Sequence, residues 1–248
     1  MDLSDKGFSP GILKTALIGV CSLTGWAPSA VRAIEVDVSY APKNDLALVV
    51  NAIESARKSL LINIYEMTSP DIAEAVLNRI KAGLHVEILE EGQPVGGLSA
   101  AARGIQSEIV KAMQAEDGDK FYEMTSKAGG KRRFRFDHAK YVVIDGDTLL
   151  IGSENYSPTG NPQAGSVGNR GWEVVVHDQN LADEYEEIFQ NDIQLSHKDI
   201  LDLTESLAEN QMPFTLDSDF AGAIPFKISA STKGELSSPF HLESKVIC

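Results

Sequence analysis

The chain has 248 residues, 43% of them apolar and 23% charged, so it can bury a substantial core in one domain with room for an appendage. Its formal net charge of −14 argues against nonspecific nucleic-acid binding, because that affinity comes largely from neutralising phosphates. With only Cys21 and the terminal Cys248, the chain lacks the cysteines for a disulfide framework.

The first 33 residues are expected to lie outside the fold. A polar start is followed by an apolar run, residues 15–27, that is too short to span a bilayer comfortably. Val31-Arg32-Ala33 supplies small residues for cleavage. Residues 1–33 therefore predict a signal peptide and a secreted or periplasmic mature chain; the alternative is an uncleaved membrane anchor formed by residues 11–30.

Helical and strand patterns alternate between residues 34 and 192. This alternation predicts an α/β fold, a mixed β-sheet flanked by helices on both faces. The expected helices are 44–58, a helix starting at 69–71 and stopping before Gly83, 98–115 and 181–191; the expected strands are 60–65, 84–89, 131–136 and 173–177, together with a hairpin after residue 138.

Residues 138–155 read HAKYVVIDGDTLLIGSEN and contain a candidate nucleophile, His138. An imidazole is largely neutral near pH 7, so it can accept a phosphoryl group and later release it. Lys140 lies two residues further on, and positions i and i+2 of a strand share one face. The ammonium can therefore neutralise the phosphate that His138 attacks.

Two apolar runs flank Asp145-Gly146, which predicts a β-hairpin with its turn at that point. The hairpin would return Gly152, Ser153 and Asn155 to the end where the candidate nucleophile lies. A small residue there lets a phosphate approach the backbone, while the Ser153 hydroxyl and the Asn155 amide can donate hydrogen bonds to its oxygens. Asp145 falls at the far turn and is interpreted as structural.

The spacing HxKx4Dx6GSxN resembles the HKD signature of the phospholipase D superfamily. The resemblance covers roughly residues 35–192 and implies a phospholipase D-like catalytic domain, residues 34–192, that works through a phosphohistidine. The segment Asn169 to Glu173 looks like the one in which these proteins carry a glutamate that orients the nucleophilic histidine. Glu173 is accordingly expected to orient His138.

A basic segment precedes the motif: residues 127–140 hold six cations against the single acid Asp137. Within it Arg133 and Arg135 are candidate substrate-binding residues, and solvated surface charges are the alternative. The segment favours anion binding without choosing between a lipid head group and a nucleic acid. No cofactor or metal is needed, because the remaining histidines, His85, His177, His197 and His241, show no close ligand spacing.

The Gly-, Pro- and Asn-rich residues 156–171 are expected to form a loop that rims the site, with a plain connector as the alternative. Residues 193–248 are interpreted as a C-terminal extension or the start of a missing second half, with a short helix near 197–208. Members of the resembled superfamily usually combine two HKD motifs, and this chain has one HxK. A homodimer or a second half would supply the other.

The leading hypothesis is an exported phosphodiesterase of phospholipase D type, hydrolase or phosphatidyltransferase, with phospholipid as the favoured substrate. His138, Lys140, Asn155 and Glu173 are its expected catalytic residues. A homodimeric endonuclease acting on nucleic acid is the first alternative. A noncatalytic anion-binding half-module is the second.

Overall fold

The computed structural model describes residues 34–205, so the predicted signal peptide and residues 206–248 lie outside the described part. Its centre is one eight-stranded sheet with the order β1-β7-β6-β5-β2-β3-β4-β8. The strands are β1 Glu35–Tyr40, β2 Ser59–Ile64, β3 His85–Glu91, β4 Lys120–Met124, β5 Lys140–Ile144, β6 Thr148–Gly152, β7 Trp172–His177 and β8 Ile200–Asp202, and the helices are α1 Asp45–Ser55, α2 Pro70–Lys81, α3 Ala100–Met113 and α4 Gln179–Asp192.

The sheet is mixed. β2, β3 and β4 are parallel neighbours joined through α2 and α3, and the remaining pairs are antiparallel. Alternate residues of the central strands serve two cores: Ile62 and Val142 pack with α1, α2 and α3, whereas Leu61 and Val143 pack with α4. The predicted α/β fold with helices on both faces is confirmed.

Helix ends follow local chemistry. Pro70 occupies the first turn of α2, and Gly83, with φ +76°, follows its end. The Ser99 hydroxyl accepts a hydrogen bond from the Ala102 N–H at 3.0 Å and caps α3. Within residues 34–205 no helix has the length and apolarity to cross a bilayer.

The first predicted helix ends earlier than expected, at Ser55 rather than near Lys58. The Asp145 carboxylate accepts the backbone N–H groups of Arg57, Lys58 and Ser59 at 2.7 to 3.1 Å. Because these N–H groups donate to Asp145, residues 57–59 leave the helix and the chain continues into β2.

The predicted basic strand at 131–136 is wrong, because these residues form bends outside the sheet. The strand on that side of the sheet is β4, which pairs with β3 and was not predicted from the sequence. The helix expected near 197–208 is also wrong at its start: Ile200–Asp202 is the edge strand β8, paired with β4. The sheet thus extends past residue 192, the predicted end of the catalytic domain.

Candidate active site

The β5–β6 hairpin positions the candidate site as predicted. Asp145 and Gly146 both have positive φ, 56° and 74°, and form the centre of a turn that the Asp147 N–H closes by donating to the Ile144 carbonyl at 3.2 Å. Tyr141 pairs with Ile151, so the next residues outward, Lys140 and Gly152, lie together at the opposite end. The Asp145 carboxylate anchors the turn, and the opposite end of the hairpin, with Lys140 and Gly152, carries the candidate site.

His138 lies just before β5 and is exposed. Its ring contacts the Tyr65 ring edge to face, with centroids 4.7 Å apart. Tyr65 is itself fixed, since its N–H donates to the Ala139 carbonyl at 3.1 Å and its hydroxyl accepts from the Val95 N–H at 2.8 Å. Partial burial of the ring, followed by the nearby Lys140 charge, lowers the pKa of His138, which favours the neutral imidazole at pH 7.

Lys140 is buried, with 8% of its surface exposed. Its ammonium donates to the His138 carbonyl oxygen at 3.0 Å and lies 5.5 Å from the Tyr65 ring centroid. Burial lowers the pKa of Lys140 to about 8, and the carboxylates of Asp137, Glu154 and Glu173 oppose that effect. Lys140 is therefore still mainly a cation at pH 7 and can neutralise a phosphate.

Gly152 makes room for Glu173. The two residues are paired across β6 and β7, and a Cβ at Gly152 would lie 1.7 Å from Glu173 Oε2. Because Gly152 separates β7 from Lys140 on β5, the carboxylate over it points towards Lys140. The predicted use of Gly152 for close phosphate approach is therefore wrong on this face, which the carboxylate occupies.

Glu173 was expected to orient His138, but it does not contact that residue in the single chain. Within residues 34–205 the carboxylate accepts hydrogen bonds from Asn161 Nδ2 at 3.5 Å and from the Glu154 N–H, and none from His138. Burial raises the pKa of Glu173 to about 8, with the charges of Glu154 and Asp45 adding to that effect. In the single chain the Glu173 carboxyl group lies over Gly152, and no hydrogen bond joins it to His138 within the described residues.

Ser153 and Asn155 follow β6 at the rim of the site. The Ser153 hydroxyl is exposed, accepts from the Trp172 N–H at 3.0 Å and can donate to Glu154 Oε1 at 3.4 Å. Asn155 Oδ1 is buried and has no hydrogen-bond partner within the described residues. Both residues directly follow β6, and their predicted role as hydrogen-bond donors to phosphate oxygens stays a prediction.

Arg133 and Arg135, which were both predicted to bind substrate, have different surroundings in the structure. Arg133 binds Asp199 through Nε at 3.1 Å, and its Nη2 donates to the Asp192 carbonyl oxygen at 2.7 Å. Arg132 is similarly paired with the buried Glu91. Assigning Arg133 to substrate is therefore a misinterpretation of a structural ion pair, whereas Arg135 is exposed, 5.8 Å from the Phe136 ring centroid.

Replacing Arg133 by alanine is expected to lower the free energy of unfolding by about 3 kcal/mol, because Asp199 would be left buried without its partner. The matched variant Arg135→Ala is expected to leave stability within about 0.5 kcal/mol and to raise KM for an anionic substrate. Urea unfolding of both variants measures the difference. Equal stabilities would show that the Arg133 ion pair contributes nothing.

Four residues of the site were missed: Tyr65, Asp137, Glu154 and Asn161. Burial raises the pKa of Asp137 to about 7, and its carboxylate faces Lys140. Glu154 could have been noticed as an acid inside the motif, between Ser153 and Asn155. Tyr65 and Asn161 carry no such signal, because only the folded sheet and loop bring them to the site.

No group of three or more His, Cys, Asp or Glu side chains is placed to hold a metal ion in residues 34–205. The arrangement combines an exposed imidazole, a buried ammonium, three carboxyl groups near that ammonium and hydrogen-bonding groups at the rim. Such a set can bind a phosphate and present a nucleophile to its phosphorus. Fold and site together define an α/β protein of the HKD-motif class.

Comparison with known proteins agrees. Residues 49–193, more than half of the chain, match the family described as "Cardiolipin synthase, PLD-like domain". The chain belongs to this family and thereby to the phospholipase D superfamily, whose members are phosphodiesterases or phosphotransferases. No curated protein matches the chain.

Two solved structures share the fold. Nuc, a phospholipase D family member from Salmonella typhimurium, has 24% identity and a TM-score of 0.55, with 68% of this chain and 98% of that chain covered. NucT from Helicobacter pylori has 19% identity and a TM-score of 0.51, with 64% and 95% covered.

Proposed function

We propose that the chain is an exported phosphodiesterase that acts on phospholipid through a phosphohistidine on His138. The imidazole attacks phosphorus, a nitrogen–phosphorus bond forms as the bond to the leaving oxygen breaks, and water or an alcohol then displaces the histidine. Lys140 and Asn155 hold the nonbridging oxygens, with help from Ser153. The observation that carries this proposal is the exposed His138 ring held on Tyr65 beside the buried Lys140.

The leaving oxygen needs a proton, and we assign it to the histidine of a second HKD motif. No second HxK occurs in the sequence, where His197 is followed directly by Lys198. A second copy of the chain would place two copies of His138 on either side of one phosphate. A second half of a longer protein would supply the same group.

An exposed apolar face supports pairing with a second copy. Val36, Val38 and Tyr40 of β1 are 47%, 64% and 43% exposed. They pair with Val176, Val174 and Trp172 of β7, so all six side chains share one face of the sheet. The face lies on the α4 side, where α4 covers β5 and β6 but leaves β1 and β7 open, and its Trp172 end adjoins Ser153.

Phospholipid is favoured as substrate by the net charge of −14, which repels a polyanion. Endonuclease activity is the second candidate, and a specific surface favours it. Lys131, Phe134 and Arg135 are exposed together before the motif, and cations beside an exposed aromatic ring suit a nucleic-acid strand.

The full-length wild-type chain should form a dimer by light scattering and release the head group from phosphatidylcholine vesicles. Plasmid DNA and an artificial phosphodiester are the parallel substrates, each assayed at low and high salt. Salt-sensitive DNA cleavage without lipid turnover would favour the endonuclease. A persistent monomer that turns over none of the three would favour a noncatalytic anion-binding module.

A further inference from the structure

The candidate site lies at one end of the sheet, and several strands begin or finish there. Ile64, the last residue of β2, pairs with Lys140, the first residue of β5. The strand pairing places the last residues of β1, β3, β4 and β6 and the first residues of β7 and β8 at the same end. We call this end, with its six connecting segments, the site end: residues 41–44, 65–69, 92–99, 125–139, 153–171 and 193–199.

Large apolar side chains are exposed in four different segments of the site end. They are Val95, Phe134, Val167 and Leu195, with 49%, 49%, 96% and 51% of their surface exposed. Val95 is directly connected to the site, since its N–H donates to the Tyr65 hydroxyl and the Tyr65 ring contacts His138. Within the described residues, no large apolar side chain is exposed in the segments at the opposite end, residues 56–58, 82–84, 114–119, 145–147 and 178.

Exposed positive charge is also concentrated at the site end, although the whole chain carries a net charge of −14. Six cations are exposed there: Lys43, Lys127, Lys131, Arg135, Arg170 and Lys198. None of the acids in the six segments is exposed, because Glu66 is half-buried and the others are buried. Exposed acids lie instead on the helices, as with Asp183, Glu184 and Glu187 of α4. Since salt screens charges beyond about 8 Å, an anionic surface at the site end meets mainly the cations.

We propose that the site end is a docking surface for a phospholipid bilayer that contains anionic lipids. The exposed apolar side chains enter the bilayer surface, and the surrounding cations contact its phosphates. The proposal rests on the proposed phosphodiesterase function and specifies the form of its substrate, lipid packed in a bilayer. Because His138 is exposed at the same end, docking brings lipid phosphates to the candidate nucleophile.

The aliphatic side chains favour a bilayer over a nucleic acid. A nucleic-acid strand stacks its bases on aromatic rings, and Phe134 suits that use. Val95, Val167 and Leu195 have no ring to offer a base. Apolar side chains next to Lys and Arg are what proteins combine at a bilayer surface, where each cation strengthens binding to anionic lipid roughly fivefold.

The first test is cosedimentation of the full-length chain with phosphatidylcholine vesicles, with and without phosphatidylglycerol. We expect phosphatidylglycerol to strengthen binding and salt to weaken it. The double variant Lys43→Gln, Lys127→Gln removes two exposed cations of the site end and should weaken binding at least roughly tenfold. The matched control Arg57→Gln, Lys58→Gln removes two exposed cations at the opposite end and should bind like wild type.

A second measurement is specific to one position, because the apolar run at residues 15–27 can itself bind lipid. Val167→Trp adds a fluorophore at the site end, and vesicles with brominated phospholipid should quench the added emission. Ala115→Trp, exposed at the opposite end, is the control and should not be quenched. Val167→Asp should weaken cosedimentation roughly tenfold, whereas Val167→Leu should preserve it.

Two results would overturn the docking surface. One is equal cosedimentation of the wild type and the Lys43, Lys127 double variant together with equal quenching at positions 167 and 115. The other is binding of plasmid DNA that these lysine substitutions weaken while vesicle binding stays unchanged, which would assign the surface to nucleic acid.

Vesicle binding and turnover fail separately. A wild-type chain that docks through Val167 but turns over no phosphodiester would remove the proposed function and leave the docking surface in place. A wild-type chain that turns over an artificial soluble phosphodiester but does not bind vesicles would remove only this inference.

Discussion

Replacing His138 by alanine is expected to abolish covalent labelling by a phosphorus-labelled substrate and to reduce kcat by roughly 10⁴-fold or more. In the proposed mechanism the imidazole forms the bond to phosphorus, and a methyl group cannot replace it. Lys140 would remain to bind the phosphate, so binding should weaken much less than turnover. Acid quenching followed by mass spectrometry of the labelled peptide measures the covalent step.

The matched control is His177→Ala, which removes an exposed imidazole at the far end of β7. It should label and turn over like wild type. Because His138 is exposed, its loss should change the free energy of unfolding little. Equal labelling of the wild type and His138→Ala would eliminate His138 as the nucleophile.

Gly152→Ala is expected to lower the free energy of unfolding by about 3 kcal/mol, because its Cβ would overlap the Glu173 carboxylate in a packed interior. The overlap is with Glu173 Oε2, 1.7 Å from the Cβ position. The displaced carboxylate would no longer face Lys140, so kcat should fall at least tenfold as well. Urea unfolding and substrate turnover measure the two effects.

A double-mutant cycle separates this cause from a general intolerance of alanine in β6. In the Glu173→Ala background the added methyl meets no carboxylate, so Gly152→Ala should cost less than about 1 kcal/mol, while activity stays low. Gly104→Ala, in α3 with no atom within 4 Å of the new Cβ, is the control and should be neutral or stabilising. Additive losses at positions 152 and 173 would contradict the steric explanation.

The HKD motif could be predicted from the sequence because its residues lie within one short segment. The Asp145-Gly146 turn and the two-residue step from His138 to Lys140 depend only on hairpin geometry, which a short stretch of sequence encodes. The role of Gly152 was misinterpreted for the opposite reason. The need for Gly152 comes from Glu173, which is 21 positions away in the chain and adjacent only across the sheet.

Charge was the least predictable property. Arg133 and Arg135 are two residues apart and indistinguishable in sequence, yet Asp192 and Asp199 neutralise the first. Asp192 is the last residue of α4, and Asp199 directly precedes β8, an edge strand in a region where the sequence suggested a helix. The residues next to Arg133 in the sequence therefore do not indicate its role.

The sequence by itself determined the superfamily and the α/β alternation and predicted the nucleophile and its cation, because each depends on periodicity or on spacing within one hairpin. Only the tertiary structure decided which of the two arginines is paired with acids and which acids lie near Lys140. Those properties arise from burial and from contacts between distant segments, as in Asn161 bridging Asp45 and Glu173. The HKD spacing therefore predicts an attack on phosphorus, whereas the fold shifts the pKa values of the groups that are proposed to carry it out.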